Sequence, residues 1–288
     1  MKLDKSHASS MFKKNVRKFL RNKLAMIGMI VMLVILLMCV FAPIFTSYRP
    51  DQPDFSARTI PPSAGHIFGT DKLGRDVFSR ILYGGRYSIL IGVTGAFFGS
   101  LIGVVLGAIA GYFGRWIDTL IVRTSEIFQT VPNMILILIL GAVFGRSIGN
   151  LLFIFAVTGW MTTFRMVRNE FIALKGETYV QVCEAFGMSK SDIMFKQILP
   201  NVMSPVIVAT TVNVAHFILS EAGLSFIGVG VPSATPTWGN ILNAAKSLDV
   251  ISNYWWLWVV PGVTITIFVL VVNFFGDELR NEIGRAHV

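Results

Sequence analysis

Polar side chains buried in an apolar run are the first places where this sequence has residue types suited to chemistry or transport. Between residues 201 and 229, Thr210, Asn213, His216, Ser220 and Glu221 fall within an arc of about 140° at 100° of turn per helical residue. One helix face thus carries an imidazole, a carboxyl group, an amide and two hydroxyls. In a membrane span such groups either line a water-filled path or bind neighbouring helices, and the sequence admits both roles. A lone His216 does not make a metal site, which needs several ligands. Cys39 and Cys183 imply no disulfide framework, and no Cys/His cluster has metal-site spacing. No nucleophile–base pair or carboxylate dyad is visible. The chain is therefore read as having no catalytic residues, no metal and no cofactor of its own.

Gly69–Asp76, "GTDKLGRD", mimics the phosphate-loop pattern. Arg75 replaces its lysine, and Asp76 replaces the hydroxyl residue that would hold Mg²⁺ and would repel phosphate. Nucleotide binding is rejected there. The stretch reads instead as a glycine-hinged amphipathic surface helix with Val77, Ile81 and Leu82 on its apolar side.

The elements that must position these residues are membrane helices. Of 288 residues, 53% are hydrophobic and 14% charged, and several apolar runs suffice to cross a bilayer. Leu24–Phe45 would span about 33 Å as a helix against a hydrocarbon core of ~30 Å. It is too long for a signal-peptide core and is read as a retained first span. Five more follow, near 87–113, 121–144, 148–166, 201–229 and 254–275. Gly95, Gly99, Gly103 and Gly107 repeat every four residues in the second, a spacing that lets helices approach closely. Pro132, Pro205 and Pro261 each remove a backbone bond and can kink their helices.

The formal charge of +9 raises nucleic acid as a partner, but the basic residues flank apolar runs, where topology explains them first. With the N-terminus inside, seventeen Lys and Arg lie on the cytoplasmic side and eight outside. Both termini are therefore expected in the cytoplasm. The expected divisions are a basic tail (1–23), a first span (24–45), an extracytoplasmic loop with an amphipathic helix (46–86), and a five-helix core (87–276). That core contains a cytoplasmic loop at 167–200 and is followed by a tail (277–288).

Within that loop Tyr179, Val182, Cys183 and Phe186 form one apolar stripe on a short helix. Gly187 can end it in the left-handed conformation. Ser189 and Asp192 form a capping start for a second helix, and Pro200 stands at the mouth of the fifth span. The stripe is too small to make its own core. It must pack on the membrane domain or enter a partner's groove.

Gly187, Leu199 and Pro200, with Ile198 one place late, resemble the "EAA---G---------I-LP" signature of ABC-importer permeases. Counting back from Gly187, the Glu-Ala-Ala positions hold Gln181, Val182 and Cys183, a departure from the pattern; Glu184-Ala185 lies three residues later. "HIFGTDKLGRDVFSRILYGGRYSILIG", "GAIAGYFGRWIDTL", "LSEAGLSFIGVGVPSATPTWGN" and "NFFGDELRNEIG" extend the likeness from about residue 24 to 283. The chain resembles the permease subunits of dipeptide, oligopeptide and nickel ABC importers. That resemblance implies an all-α, six-span type I permease fold in a bacterial or archaeal inner membrane. It implies a second permease, two cytoplasmic ATPase subunits that carry ATP and Mg, and an extracytoplasmic solute-binding protein. It further implies that Gln181, Val182, Cys183, Glu184, Ala185, Phe186, Gly187, Met188, Ser189, Leu199 and Pro200 form the coupling segment. Peptide, nickel and metal chelate all fit as cargo. A self-contained secondary transporter or channel is the rival, and it would need midplane charges or a filter beyond His216 and Glu221.

Overall fold

A computed structural model describes residues 23–284, with side chains from 26 to 280. The basic residues expected in the tails, Lys2 to Arg21 and Arg285, lie outside the described residues. The architecture is all-α. Among the described residues the only β pairing is an isolated bridge between Thr70 and Asp76.

The first apolar run divides at Phe41 into α1 (Lys23–Val40) and a single turn, α2 (Ala42–Phe45), whose first turn contains Pro43. The loop that follows is organised around "GTDKLGRD". Asp71 accepts from the backbone N–H groups of Leu73 (2.8 Å) and Arg75 (3.0 Å) and from Arg75 Nε (2.7 Å). Gly74 has φ +76°, and a Cβ there would lie 1.6 Å from the Asp54 carbonyl oxygen. Asp76 then caps the next helix by accepting from Ser79 N at 2.7 Å.

That helix, α3 (Val77–Phe113), has 37 residues and spans about 55 Å. The amphipathic segment expected as a separate surface helix is its first two turns. Val77, Ile81 and Leu82 are buried. Gly84 and Gly85 admit close neighbours. A Cβ on Gly85 would lie 2.4 Å from Cys39 Sγ and 2.9 Å from the Trp238 ring.

The glycine stripe on α3 sets the next contact. α6 (Ile148–Thr158) and α7 (Trp160–Lys175) run nearly continuously and lie along it. A Cβ on Gly99 would stand 3.1 Å from the Gly159 carbonyl carbon, on Gly103 2.7 Å from the Trp160 oxygen, and on Gly107 2.8 Å from the Phe164 oxygen. Lipid offers no hydrophobic drive between spans, so backbone approach of this kind supplies the packing. α7 continues to Lys175, so residues 167–175, expected in the cytoplasmic loop, are helix.

Between α3 and α6 come α4 (Arg115–Thr130) and α5 (Asn133–Phe144), bent by 87° at Val131–Pro132. The residue before a proline is pushed out of the helical region, and Val131 is extended (φ −96°, ψ 128°). The chain then passes through α8 (Thr178–Ala185), the short α9 (Lys190–Asp192) and a π-helical turn (Ile193–Ile198) into α10 (Leu199–Ile227). α11 (Trp238–Leu242) and α12 (Leu248–Asn253) lead to α13 (Trp256–Gly284). Pro205 and Pro261 lie inside unbroken helices.

Four helical stretches, Val77–Phe113, Ile148–Lys175, Lys190–Ile227 and Trp256–Arg280, are long and apolar enough to cross a membrane. The α4–α5 pair makes a fifth if counted as one bent span, and Met26–Val40 is a shorter apolar helix. The core has two ends. One is built on Trp238, whose indole donates to the Ile81 carbonyl at 2.9 Å. The other gathers Tyr112, Val167, Phe171, Val180, Ile193 and Ile198.

Candidate functional site

The segment from Thr178 to Pro200 forms a bent connector between α7 and α10. Val180 is completely buried, in the cluster formed by α3, α7 and the π turn, and it anchors α8. The expected stripe is divided: Tyr179, Val182 and Phe186 are 38%, 47% and 85% exposed, while Cys183 is half-buried and packs on that cluster. Packing against the membrane domain, one of the two expectations for this stripe, is thus met by Cys183 alone, beside Val180. Partial burial pushes the Tyr179 phenol above its ordinary value, and Asn201 donates to it at 3.5 Å.

Gly187 has φ +76°, the left-handed value expected. Ser189 accepts from Asp192 N at 3.1 Å and donates to Asp192 Oδ2 at 2.8 Å, so the second helix starts where the sequence placed it. Pro200 stands in the first turn of α10. Gln181 donates to the Gly176 carbonyl at 3.0 Å, Met188 and Leu199 pack on the cluster, and Ala185 is exposed. The Tyr112 hydroxyl donates to Glu184 Oε1 at 3.3 Å, and Lys175 Nζ donates to the Tyr112 carbonyl at 2.7 Å. The connector is therefore tied to the last turn of α3. No sequence pattern flagged that tie.

The polar arc on α10 separates into three environments. Thr210 donates to Ser100 Oγ at 2.8 Å, which lies 3.4 Å from Thr163 Oγ1; these hydroxyls join three helices. Glu221 is completely buried and serves as an acceptor for Ser225 (2.7 Å), Thr237 (2.8 Å) and Ser88 (3.4 Å). Ser220 is half-buried and returns its hydroxyl to the His216 carbonyl at 2.9 Å. Only Asn213 and His216 line a cavity, of about 500 Å³.

That cavity lies beside the middle of α10, where the other helices break. Gln129 lies in the last turn of α4 and Asn133 starts α5, across the 87° bend; Thr162 and Arg165 belong to α7, just after the α6–α7 junction. These four were not singled out from the sequence. Their signal is Pro132, which opens the bend beside them. The cavity has room and polar groups for a small polar solute, and its wall offers no nucleophile–base pair.

Residues 103–283 match the family described as binding-protein-dependent transport system inner membrane component, and residues 10–62 match the N-terminal TM domain of oligopeptide transport permease C. The chain is 36% identical to the oligopeptide transport system permease protein OppC of Bacillus subtilis strain 168, over 95% of this chain and 89% of that protein. It is 38% identical to the dipeptide transport system permease protein DppC of Alkalihalophilus pseudofirmus, over 97% of this chain and 91% of that protein. The fold is similar to a chain of the inward-facing MetNI methionine ABC transporter, with a TM-score of 0.57 over 70% of this chain and 96% of that one, at 19% identity. The chain belongs to the family of inner-membrane permease components of binding-protein-dependent transport systems.

Proposed function

We propose that this chain is one of two permease subunits forming the pathway of an ATP-driven peptide importer in a bacterial or archaeal inner membrane. Its six spans are α1, α3, the bent α4–α5 pair, α6–α7, α10 and α13, with both termini in the cytoplasm. The excess of Lys and Arg on the side of the connector supports this orientation. Peptide as cargo rests on the relatives named for oligopeptide and dipeptide transport.

The observation that carries the coupling role is Phe186, an 85% exposed aromatic ring on a helix held by the completely buried Val180. A large apolar side chain presented from a rigid base suits a groove on a partner. ATP and Mg belong to separate ATPase subunits. Closure of those subunits pushes α8; the Tyr112–Glu184 and Val180 contacts pass the push to α3 and α7, and the bundle switches access. A solute-binding protein delivers cargo at the opposite end.

Reconstitution of the complete complex in proteoliposomes tests this. Peptide uptake should require ATP, the binding protein and this chain, and the detergent-extracted chain should carry the ATPase with it. Gradient-driven uptake by this chain alone, with no ATPase bound, would establish the rival secondary transporter.

A further inference from the structure

The cavity beside α10 has a one-sided charge. Among the residues that line it there is no Asp or Glu, while Arg165 faces it. Arg165 forms no ion pair or hydrogen bond among the described residues, unlike Arg168 one turn later, which is held by Asp118. A guanidinium is always charged, and the Arg165 side chain is exposed, so it is open to an anion that enters the cavity. Its five donors form a planar fork suited to a carboxylate.

The wall has further polar groups: Asn133 lies in it. Gln129 and Asn213 add further amides. The volume, about 500 Å³, falls within the range of small-molecule pockets.

We infer that this cavity is a substrate subsite in which Arg165 takes the free C-terminal carboxylate of the transported peptide. The inference rests on the permease reading and adds to it a selectivity carried by the pathway itself. A peptide with a free carboxylate is held, and the same peptide with an amidated C-terminus is held less well.

The test is equilibrium binding of a radiolabelled dipeptide and of its C-terminal amide to the nucleotide-free permease–ATPase complex in nanodiscs, with the binding protein left out. The wild-type complex should bind the dipeptide about tenfold tighter than the amide, the scale of one charge-assisted contact. Arg165→Gln should abolish the difference, and Arg165→Lys should keep most of it. Equal wild-type binding of the two ligands, or no binding of either, overturns the inference without needing any variant to fold. A preference that survives in Arg165→Gln overturns it too. Failure of the permease reading is a separate result: the complete complex would then show no ATP-dependent uptake of either peptide.

Discussion

The Thr237 hydroxyl donates to Glu221 Oε1 at 2.8 Å and so joins the start of α11 to the last two turns of α10. Thr237 in turn accepts from Asn240 N at 3.1 Å, and Ser88, the third donor to Glu221, accepts from Trp238 N at 3.0 Å. Each hydroxyl is thus used twice, and the carboxyl group is the common end of the chain. Glu221→Leu leaves Thr237 and Ser225 without their acceptor, a loss of about 1–3 kcal/mol per buried group. Glu221→Gln keeps an acceptor oxygen for both and turns its NH₂ toward Ser88 Oγ. Thermal unfolding in detergent should show a large drop for Leu and a small one for Gln. Equal drops would mean that hydrogen bonding is not what Glu221 contributes.

Gly103 and Gly141 are both helical glycines, and they should respond oppositely to alanine. A Cβ on Gly103 meets the Trp160 carbonyl and the Phe164 backbone nitrogen at 2.7 and 2.9 Å, atoms that cannot rotate away. A Cβ on Gly141 meets nothing within 4 Å. Gly103→Ala should separate α3 from α7 and lower the yield of folded protein in the membrane. Gly141→Ala should be neutral or gain up to about 1 kcal/mol from helix propensity. Comparable yields of the two variants would remove the close-packed stripe as the basis of the α3–α7 contact.

Legibility followed the range of the interaction. The left-handed Gly187, the Ser189 cap and the Pro132 break were readable, because each depends on a few consecutive residues. The four-residue glycine spacing announced a close helix contact but not its partner, which lies about sixty residues on. The opening turns of α3 were misread as a separate surface helix because the close contact of Gly85 with Trp238, about 150 residues on, has no local signal. The α10 arc was readable as a polar face, yet a helical projection cannot distinguish Glu221, closed in by α3 and α11, from His216, left facing a cavity. The cavity itself needs Gln129, Arg165 and Asn213 from three distant segments, so no local pattern announces it.

Arg168 grips Asp118 through two nitrogens, one of them at 2.6 Å, and so ties α4 to α7. The pair is mostly shielded, with 26% and 19% of the two side chains exposed. A bidentate geometry exceeds an ordinary surface pair, so the coupling should be about 1–2 kcal/mol. A double-mutant cycle with Asp118→Asn and Arg168→Gln, read by thermal unfolding, measures it. Additive losses would reduce the pair to two independent surface residues.

Phe186 and Val180 lie six residues apart and should fail in different ways. Val180 is completely buried against α3 and α7, so Val180→Asp places an unpaired charge in the cluster and should unfold the connector, with loss of assembled protein. Phe186 is 85% exposed, so Phe186→Asp removes nothing that the isolated chain needs. That variant should insert and unfold like the wild type, yet lose the co-purified ATPase and the ATP-dependent uptake. Gly187→Ala separates shape from surface, because its open surroundings accept a methyl group while φ +76° costs an L-residue about 1–2 kcal/mol. It should weaken coupling with Phe186 intact. If Phe186→Asp retained full ATP-driven uptake, the exposed ring would have no place in a partner, and the lever would have to act through another part of the connector.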